Sequence, residues 1–113
     1  MIHKSHLNTI PFEKIKNGSK SVELRLRDEK RSLYKVGDKI LFKNRETSEE
    51  LVCKIIGLCW FDNFGTLVKN LGALKCGWDK EYDAEQYNTD MEQYYQKSEI
   101  EKYGVLGIVL YIL

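Results

Sequence analysis

The segment GSKSVELRLRDEKR, residues 18–31, decides how this chain folds. Apolar and charged side chains alternate along it, with Val22, Leu24 and Leu26 on one face and Glu23, Arg25 and Arg27 on the other. Alternation with a period of two predicts a half-buried β-strand. The charged face is either a solvated edge, of the kind that protects sheets from aggregation, or the wall of a binding site.

The sequence on either side of this strand predicts short elements of mixed type. A helix over about residues 11–17 precedes the strand, with Phe12 and Ile15 on its inner face and Gly18 as its stop. A turn at residues 36–38 leads into a strand over 39–43, and a longer strand over 51–61 bends at Gly57. Asn63 caps a further helix, which Gly72 ends.

The second half of the chain shows helix signals and one last strand. Residues 73–88 have no clear periodicity and are expected to be irregular. Two capping boxes, Thr89 with Glu92 and Ser98 with Glu101, predict helices over 90–96 and 99–103. Residues 105–113 are apolar on both faces, which is typical of a central strand.

Together these elements predict a single domain over residues 1–113 of the α+β class, a small curved mixed β-sheet or incomplete barrel with flanking short helices. The N-terminal segment lacks the apolar core of a signal peptide, and no apolar run is long enough to span a membrane. The three cysteines have no paired spacing, so we expect reduced thiols in the cytoplasm, with Cys53 and Cys59 in the core.

The charges are unevenly distributed along the chain. The whole chain has a net charge of +1, but residues 14–45 hold eleven Lys or Arg against four Asp or Glu, a net charge of +7. This asymmetry indicates a basic surface for an anionic partner.

The sequence gives little support for a metal site or for catalysis by histidine. His3 and His6 are the only histidines, lie on an N-terminal segment expected to be mobile, and have no third ligand of matching spacing. The glycines follow neither the phosphate-loop nor the dinucleotide pattern. We therefore expect no metal and no cofactor.

One group of charged residues remains as a candidate site. Glu23 and Arg25 share a strand face roughly 7 Å apart, and the flexible stem of Lys20 can curl to the same side from the strand entrance.

The octet GSKSVELR resembles the GxKxxExR signature of the ASCH domain, a member of the PUA-like superfamily. VGDKILF and EIEKYGVLGI follow in the order and spacing of small stand-alone bacterial ASCH proteins. The resemblance implies a PUA-like β-barrel with a cleft that binds RNA, a nucleotide or a modified nucleoside. Its candidate ligand residues are Gly18, Lys20, Glu23 and Arg25. By this resemblance Lys20 and Arg25 would contact phosphate or a base edge. Glu23 would accept from an exocyclic amine of a base, or would pair with Arg25 and fix its direction.

A related branch of the family hydrolyses the acetyl group of N4-acetylated cytidine. Where that branch has a threonine, this chain has Glu23, which suits base catalysis or orientation rather than nucleophilic attack. No motif anchors the second catalytic carboxylate, although Glu81 and Glu85 lie in a comparable part of the chain. If the protein is a hydrolase, of acylated cytidine or of RNA, Lys20 and Glu23 are its chemical pair.

Two aromatic residues are the best candidates for stacking on a base: Trp78, within a polar run, and Tyr103, beside the last strand. Three functions stay open at this point. They are a nucleic-acid or nucleotide binding module, a small hydrolase, and a module that binds another protein through the same face. The sequence leaves the oligomeric state undecided.

Overall fold

A computed structural model describes residues 1–113, which form five β-strands, five α-helices and one 3₁₀ turn. In chain order they are β1 (Ile2–Leu7), α1 (Thr9–Lys16), β2 (Val22–Leu26), a 3₁₀ turn (Arg31–Leu33), β3 (Lys39–Asn44), β4 (Glu50–Phe61), α2 (Phe64–Leu71), α3 (Ala73–Cys76), α4 (Ala84–Met91), α5 (Lys97–Tyr103) and β5 (Val105–Ile112).

The five strands form one curled mixed sheet in the order β1-β3-β4-β5-β2. β1 and β3 run parallel, and every other neighbouring pair is antiparallel. The expected α+β fold with a half-barrel sheet and flanking helices is confirmed. β5, predicted to be central, lies between β4 and β2, and its first six residues are buried or half-buried.

The sheet separates two apolar cores. On one face, which we call the α1 face, Phe12 and Ile15 of α1 pack against residues that include Leu106 and Ile108 of β5. On the other, the α2 face, the apolar side chains of β2 pack against α2, α3 and α4; the β2 residues are Val22, Leu24 and Leu26. All three are buried, as predicted.

The register of β2 puts its charged side chains on the α1 face. Glu23 lies opposite Ile108 and Arg25 opposite Leu106 across the β2–β5 pair, and residues directly opposite each other share a face. The charges of β2 therefore face the same side of the sheet as one apolar core instead of facing bulk water.

The two edge strands, β1 and β2, do not pair with each other, and long side chains bridge the gap between them. Arg25 donates from Nη2 to the carbonyl of His6 (3.0 Å), and Lys30 donates from Nζ to the carbonyl of Lys4 (2.9 Å). The incomplete barrel is thus closed by side chains, and the gap leaves room for a cleft.

Several predicted boundaries are confirmed. Asn63 caps α2 by accepting from the backbone N–H of Thr66 (2.9 Å), and Gly72 follows its last residue. The bend predicted at Gly57 is a bulge, where the pairing of β4 with β5 shifts register between Ile55 and Gly57. Gly18 lies one residue beyond the C-cap of α1, with φ +86°.

The N-terminal segment is not mobile as expected but forms β1. Its alternate residues His3, Ser5 and Leu7 are buried. Two of these three are polar, so the strand shows no alternation of apolar and polar residues in the sequence. The imidazole of His3 pairs with Asp38 through one ring nitrogen (Nε2–Oδ2 2.8 Å) and stacks on Tyr34 with ring centroids 4.1 Å apart.

The predicted capping pattern of the second half is also wrong in part. Residues 73–88 contain α3 and the start of α4, whose cap is Asp83, and Thr89 lies inside α4 instead of preceding a helix. The box that begins α5 is formed by Gln96 and Glu99, two residues earlier than expected. Cys53 is fully buried as predicted, whereas Cys59 is only partly covered.

Candidate functional site

Lys20, Glu23 and Arg25 converge into one buried cluster, which we call the triad. The Lys20 Nζ lies 3.0 Å from Glu23 Oε1, while Arg25 donates to Glu23 Oε2 from Nε (3.0 Å) and from Nη2 (2.8 Å). The side chain of Glu23 is only 5% exposed. Lys20 reaches it from the entrance of β2, and the strand period puts Arg25 beside it.

The triad keeps Glu23 and Arg25 charged. Burial by itself raises the pKa of the Glu23 carboxyl, but the charges of Lys20 and Arg25 and their hydrogen bonds outweigh burial and hold the pKa below its ordinary value. Burial likewise lowers the pKa of Arg25, and the neighbouring Glu23 more than compensates, so that this pKa is raised. The cluster therefore carries two positive charges and one negative charge.

The triad lines a cleft of ≈ 840 Å³, bounded on one side by the end of β1 and by α1 and on the other by α3 and the region after α4. Lys14 and Arg45 add two more cationic side chains, and Asp90 is the only other carboxylate in the lining. All four Lys and Arg residues of the cleft come from the basic segment 14–45. Four of the eleven Lys and Arg residues of that segment are thus gathered at the cleft.

Gly77 shapes the position of Lys20. It has the left-handed φ of +106°, and a Cβ at this position would stand 3.1 Å from Lys20 Cδ. The carbonyl of Gly77 accepts a hydrogen bond from Lys14 Nζ (2.7 Å), which ties α1 to the end of α3. The absence of a side chain at Gly77 therefore lets the stem of Lys20 lie flat along the cleft wall.

Aromatic and apolar groups occupy the wall and the rim. The Trp78 indole donates from Nε1 to Asp90 Oδ2 (2.9 Å) and packs edge-on against Tyr87 at 5.1 Å. At the rim, Ile10 and Tyr94 are 71% and 65% exposed. The cleft thus joins a charged base to a wall and rim on which a flat ring could lie.

The structure brings together four of the six residues named from the sequence: Lys20, Glu23, Arg25 and Trp78 all line the cleft. Gly18 lies exposed just beyond α1 and does not line it. Tyr103 lines a second, smaller cleft of ≈ 320 Å³ together with Trp60. Glu81 and Glu85 are exposed and line neither cleft.

Sequence reasoning missed several lining residues. Asp90 and Gly77 belong to no sequence motif. The packing of α4 brings Asp90 to the cleft, and Gly77 contributes the space that a side chain would otherwise fill. Lys14 and Arg45 are the first and last residues of the basic segment, so the charge pattern of the sequence pointed to them. Nothing in the sequence placed them opposite β2.

No three side chains of the His, Cys, Asp and Glu types converge as a metal site requires. None of the helices has both the length and the apolar character needed to cross a membrane.

Solved structures share this fold. The crystal structure of the hypothetical protein PH0355 has 29% identity and a TM-score of 0.89, with 100% of each chain covered. The solution structure of a protein from Pyrococcus furiosus has 26% identity and a TM-score of 0.77, covering 100% of this chain and 98% of that one.

A ZmASCH mutant protein from Zymomonas mobilis, at 16% identity, has a TM-score of 0.69 over 97% of this chain and 67% of that chain, which shows a shared fold. No curated protein matches the chain. The family model of the ASCH domain matches residues 6–111, and this chain therefore belongs to the ASCH domain family.

Proposed function

We propose that this protein binds RNA, a nucleotide or a modified nucleoside in the cleft, through Lys20, Glu23 and Arg25 and with Trp78 as a stacking wall. The observation that carries the proposal is the buried triad at the base of a cleft with four cationic side chains and two carboxylates. The family is thought to bind RNA, which supports a nucleic-acid partner in coarse terms.

The distribution of charge favours an anionic partner over a protein surface. Both carboxylates of the cleft are already engaged by the chain itself, Glu23 within the triad and Asp90 by Trp78 and Gln86. Arg45 is exposed and makes no ion pair, so its charge is available at the mouth. A polyanion gains from such a positive field by releasing its own counterions.

The test is titration of a fluorescent single-stranded RNA with the protein at several salt concentrations. Lys20→Ala should lose most of the binding, whereas Lys97→Ala should keep it, because Lys97 is 79% exposed and lies outside the cleft. The logarithm of affinity should fall with the logarithm of salt by about 0.7 per phosphate contact. Equal binding by both variants would show that the cleft is not the RNA-binding site.

Hydrolysis by Lys20 and Glu23 has less support. A general base works best with a pKa near the working pH, and the pKa of Glu23 is held below its ordinary value by two cations. The carboxylate is better suited to orienting Lys20 and Arg25. Release of acetate from N4-acetylcytidine, or cleavage of RNA, that disappears in Lys20→Ala would restore the enzymatic alternative.

A further inference from the structure

Groups of the same chain occupy the acceptor positions of the Glu23 carboxylate. Oε1 faces the Lys20 Nζ (3.0 Å) and the backbone N–H of Leu24 (3.3 Å), and Oε2 accepts from Arg25 Nε and Nη2. An ionised carboxylate offers about four lone-pair sites, and three hydrogen bonds together with the ion pair to Lys20 take them up here. Glu23 therefore has no acceptor left for the exocyclic amine of a base.

The groups left free in the triad are all donors. A lysine ammonium has three N–H bonds, and Lys20 directs one toward Glu23. The guanidinium of Arg25 commits Nε and Nη2 to Glu23 and to the carbonyl of His6, while Nη1 makes no hydrogen bond and is not sealed from solvent. The side chains remain partly accessible, at 11% for Lys20 and 14% for Arg25.

We infer that the triad recognises a phosphate group of the ligand, with Lys20 Nζ and Arg25 Nη1 as the donors and Glu23 as a positioning residue that does not touch the ligand. A phosphate presents only acceptors and carries the negative charge that an excess of two cationic side chains in the cleft favours. This inference rests on the proposed function and narrows it to ligands that carry phosphate.

The phosphate can come from the end of a nucleotide or from the backbone of a strand. Calorimetry on the wild-type protein separates these sources with four ligands: uridine, cytidine, uridine 5′-monophosphate, and a uridine dinucleotide whose one phosphate is the internal diester. At least one phosphate-bearing ligand should bind about tenfold more tightly than uridine, which corresponds to about 1.4 kcal/mol. Cytidine should bind no more tightly than uridine, because Glu23 cannot accept from its amine.

Nucleosides that bind as tightly as the phosphate-bearing ligands, or cytidine preferred over uridine, would overturn the inference while leaving the proposed function intact. Failure of both phosphate-bearing ligands to bind at millimolar concentration would overturn it as well, even if longer RNA binds. If longer RNA and nucleosides, N4-acetylcytidine among them, also fail to bind, the proposed function fails with it.

Glu23→Gln tests the positioning role by the sign of its effect. The variant removes one negative charge from the cleft, so a purely electrostatic site would bind uridine 5′-monophosphate more tightly. A positioning residue predicts the opposite, about tenfold weaker binding, because the amide keeps only one acceptor oxygen and turns an NH2 donor toward Lys20 or Arg25, so that both cations are no longer aligned. Equal or tighter binding by the variant would exclude the positioning role. The ligand series on the wild-type protein does not depend on whether this variant folds.

Discussion

Arg25 donates from Nη2 to the carbonyl of His6, 3.0 Å away across the gap between β2 and β1. The same guanidinium holds the carboxylate of Glu23. One side chain thus helps to close the half-barrel, together with Lys30, and also builds the candidate site. Stability and ligand binding are therefore coupled at this position, and substitutions there must be measured for both.

Arg25→Ala should destabilise the protein strongly. Removing one partner of a buried ion pair costs about 3–5 kcal/mol, and we expect the lower end, about 3 kcal/mol, because the Arg25 side chain retains 14% exposure. Urea unfolding measures the loss. Arg45→Ala is the control, since Arg45 is exposed and unpaired, and its stability should change by less than about 0.5 kcal/mol. Similar losses in the two variants would contradict the buried ion pair.

The stabilising effect of Glu23 should vanish in acid. Its folded-state pKa lies below the ordinary value of 4.5, so its contribution is fully present above pH 4.5 and is lost as the pH falls toward the folded-state pKa. The free energy of unfolding of wild type minus that of Glu23→Gln should be constant from neutral pH to about 5 and then shrink. Taking this difference removes the separate contribution of Asp38, whose pKa is also lowered. A difference that grows below pH 4.5 would have the wrong sign.

The strand that carries the site could be predicted because its pattern is local. Alternation from Val22 to Leu26 sets the strand and its buried face, and the glycine after α1 sets where the preceding helix ends. The convergence of Lys20 with Glu23 could be predicted only from the flexible stem of Lys20 at the strand entrance, because a strand period of two by itself puts residues three apart on opposite faces.

What the sequence could not show depends on distant packing. β2 is amphipathic by pattern, and its charged face would be solvated on an ordinary edge strand. Here β5 and β1 enclose that face. β1 was missed because its buried positions include His3 and Ser5, whose polar atoms need partners elsewhere in the fold. Asp90 reaches the cleft through the packing of α4, which no short motif records.

Lys20→Ala should impair stability as well as binding. From the sequence alone, Lys20 is a ligand-binding charge whose removal leaves the melting temperature almost unchanged. Its ion pair with the buried Glu23 changes that expectation to a loss of about 1.5–3 kcal/mol, the range for hydrogen bonds to charged groups. Lys97→Ala, whose ammonium lies 4.0 Å from Glu92 in solvent, should lose almost nothing.

A double-mutant cycle with Lys20→Ala and Glu23→Gln assigns the loss to the pair. We expect a coupling free energy of about 0.5–3 kcal/mol by urea unfolding, as found for residues in one ion-pair network. A coupling near zero would mean that the ammonium of Lys20 is held in place by something other than Glu23.

Gly77→Ala should weaken ligand binding through Lys20. The left-handed φ of +106° makes alanine unfavourable by about 1 kcal/mol or more, and the new Cβ would stand 3.1 Å from Lys20 Cδ, so that the stem must shift. Gly37→Ala is a matched control. Gly37 has a φ of +99°, but a Cβ there meets nothing within 4 Å, and it does not line the cleft. The two variants should lose similar stability by urea unfolding. Only Gly77→Ala should also lose affinity for single-stranded RNA, by about tenfold. Parallel losses of affinity in both variants would show that backbone strain, and not the placement of Lys20, governs binding.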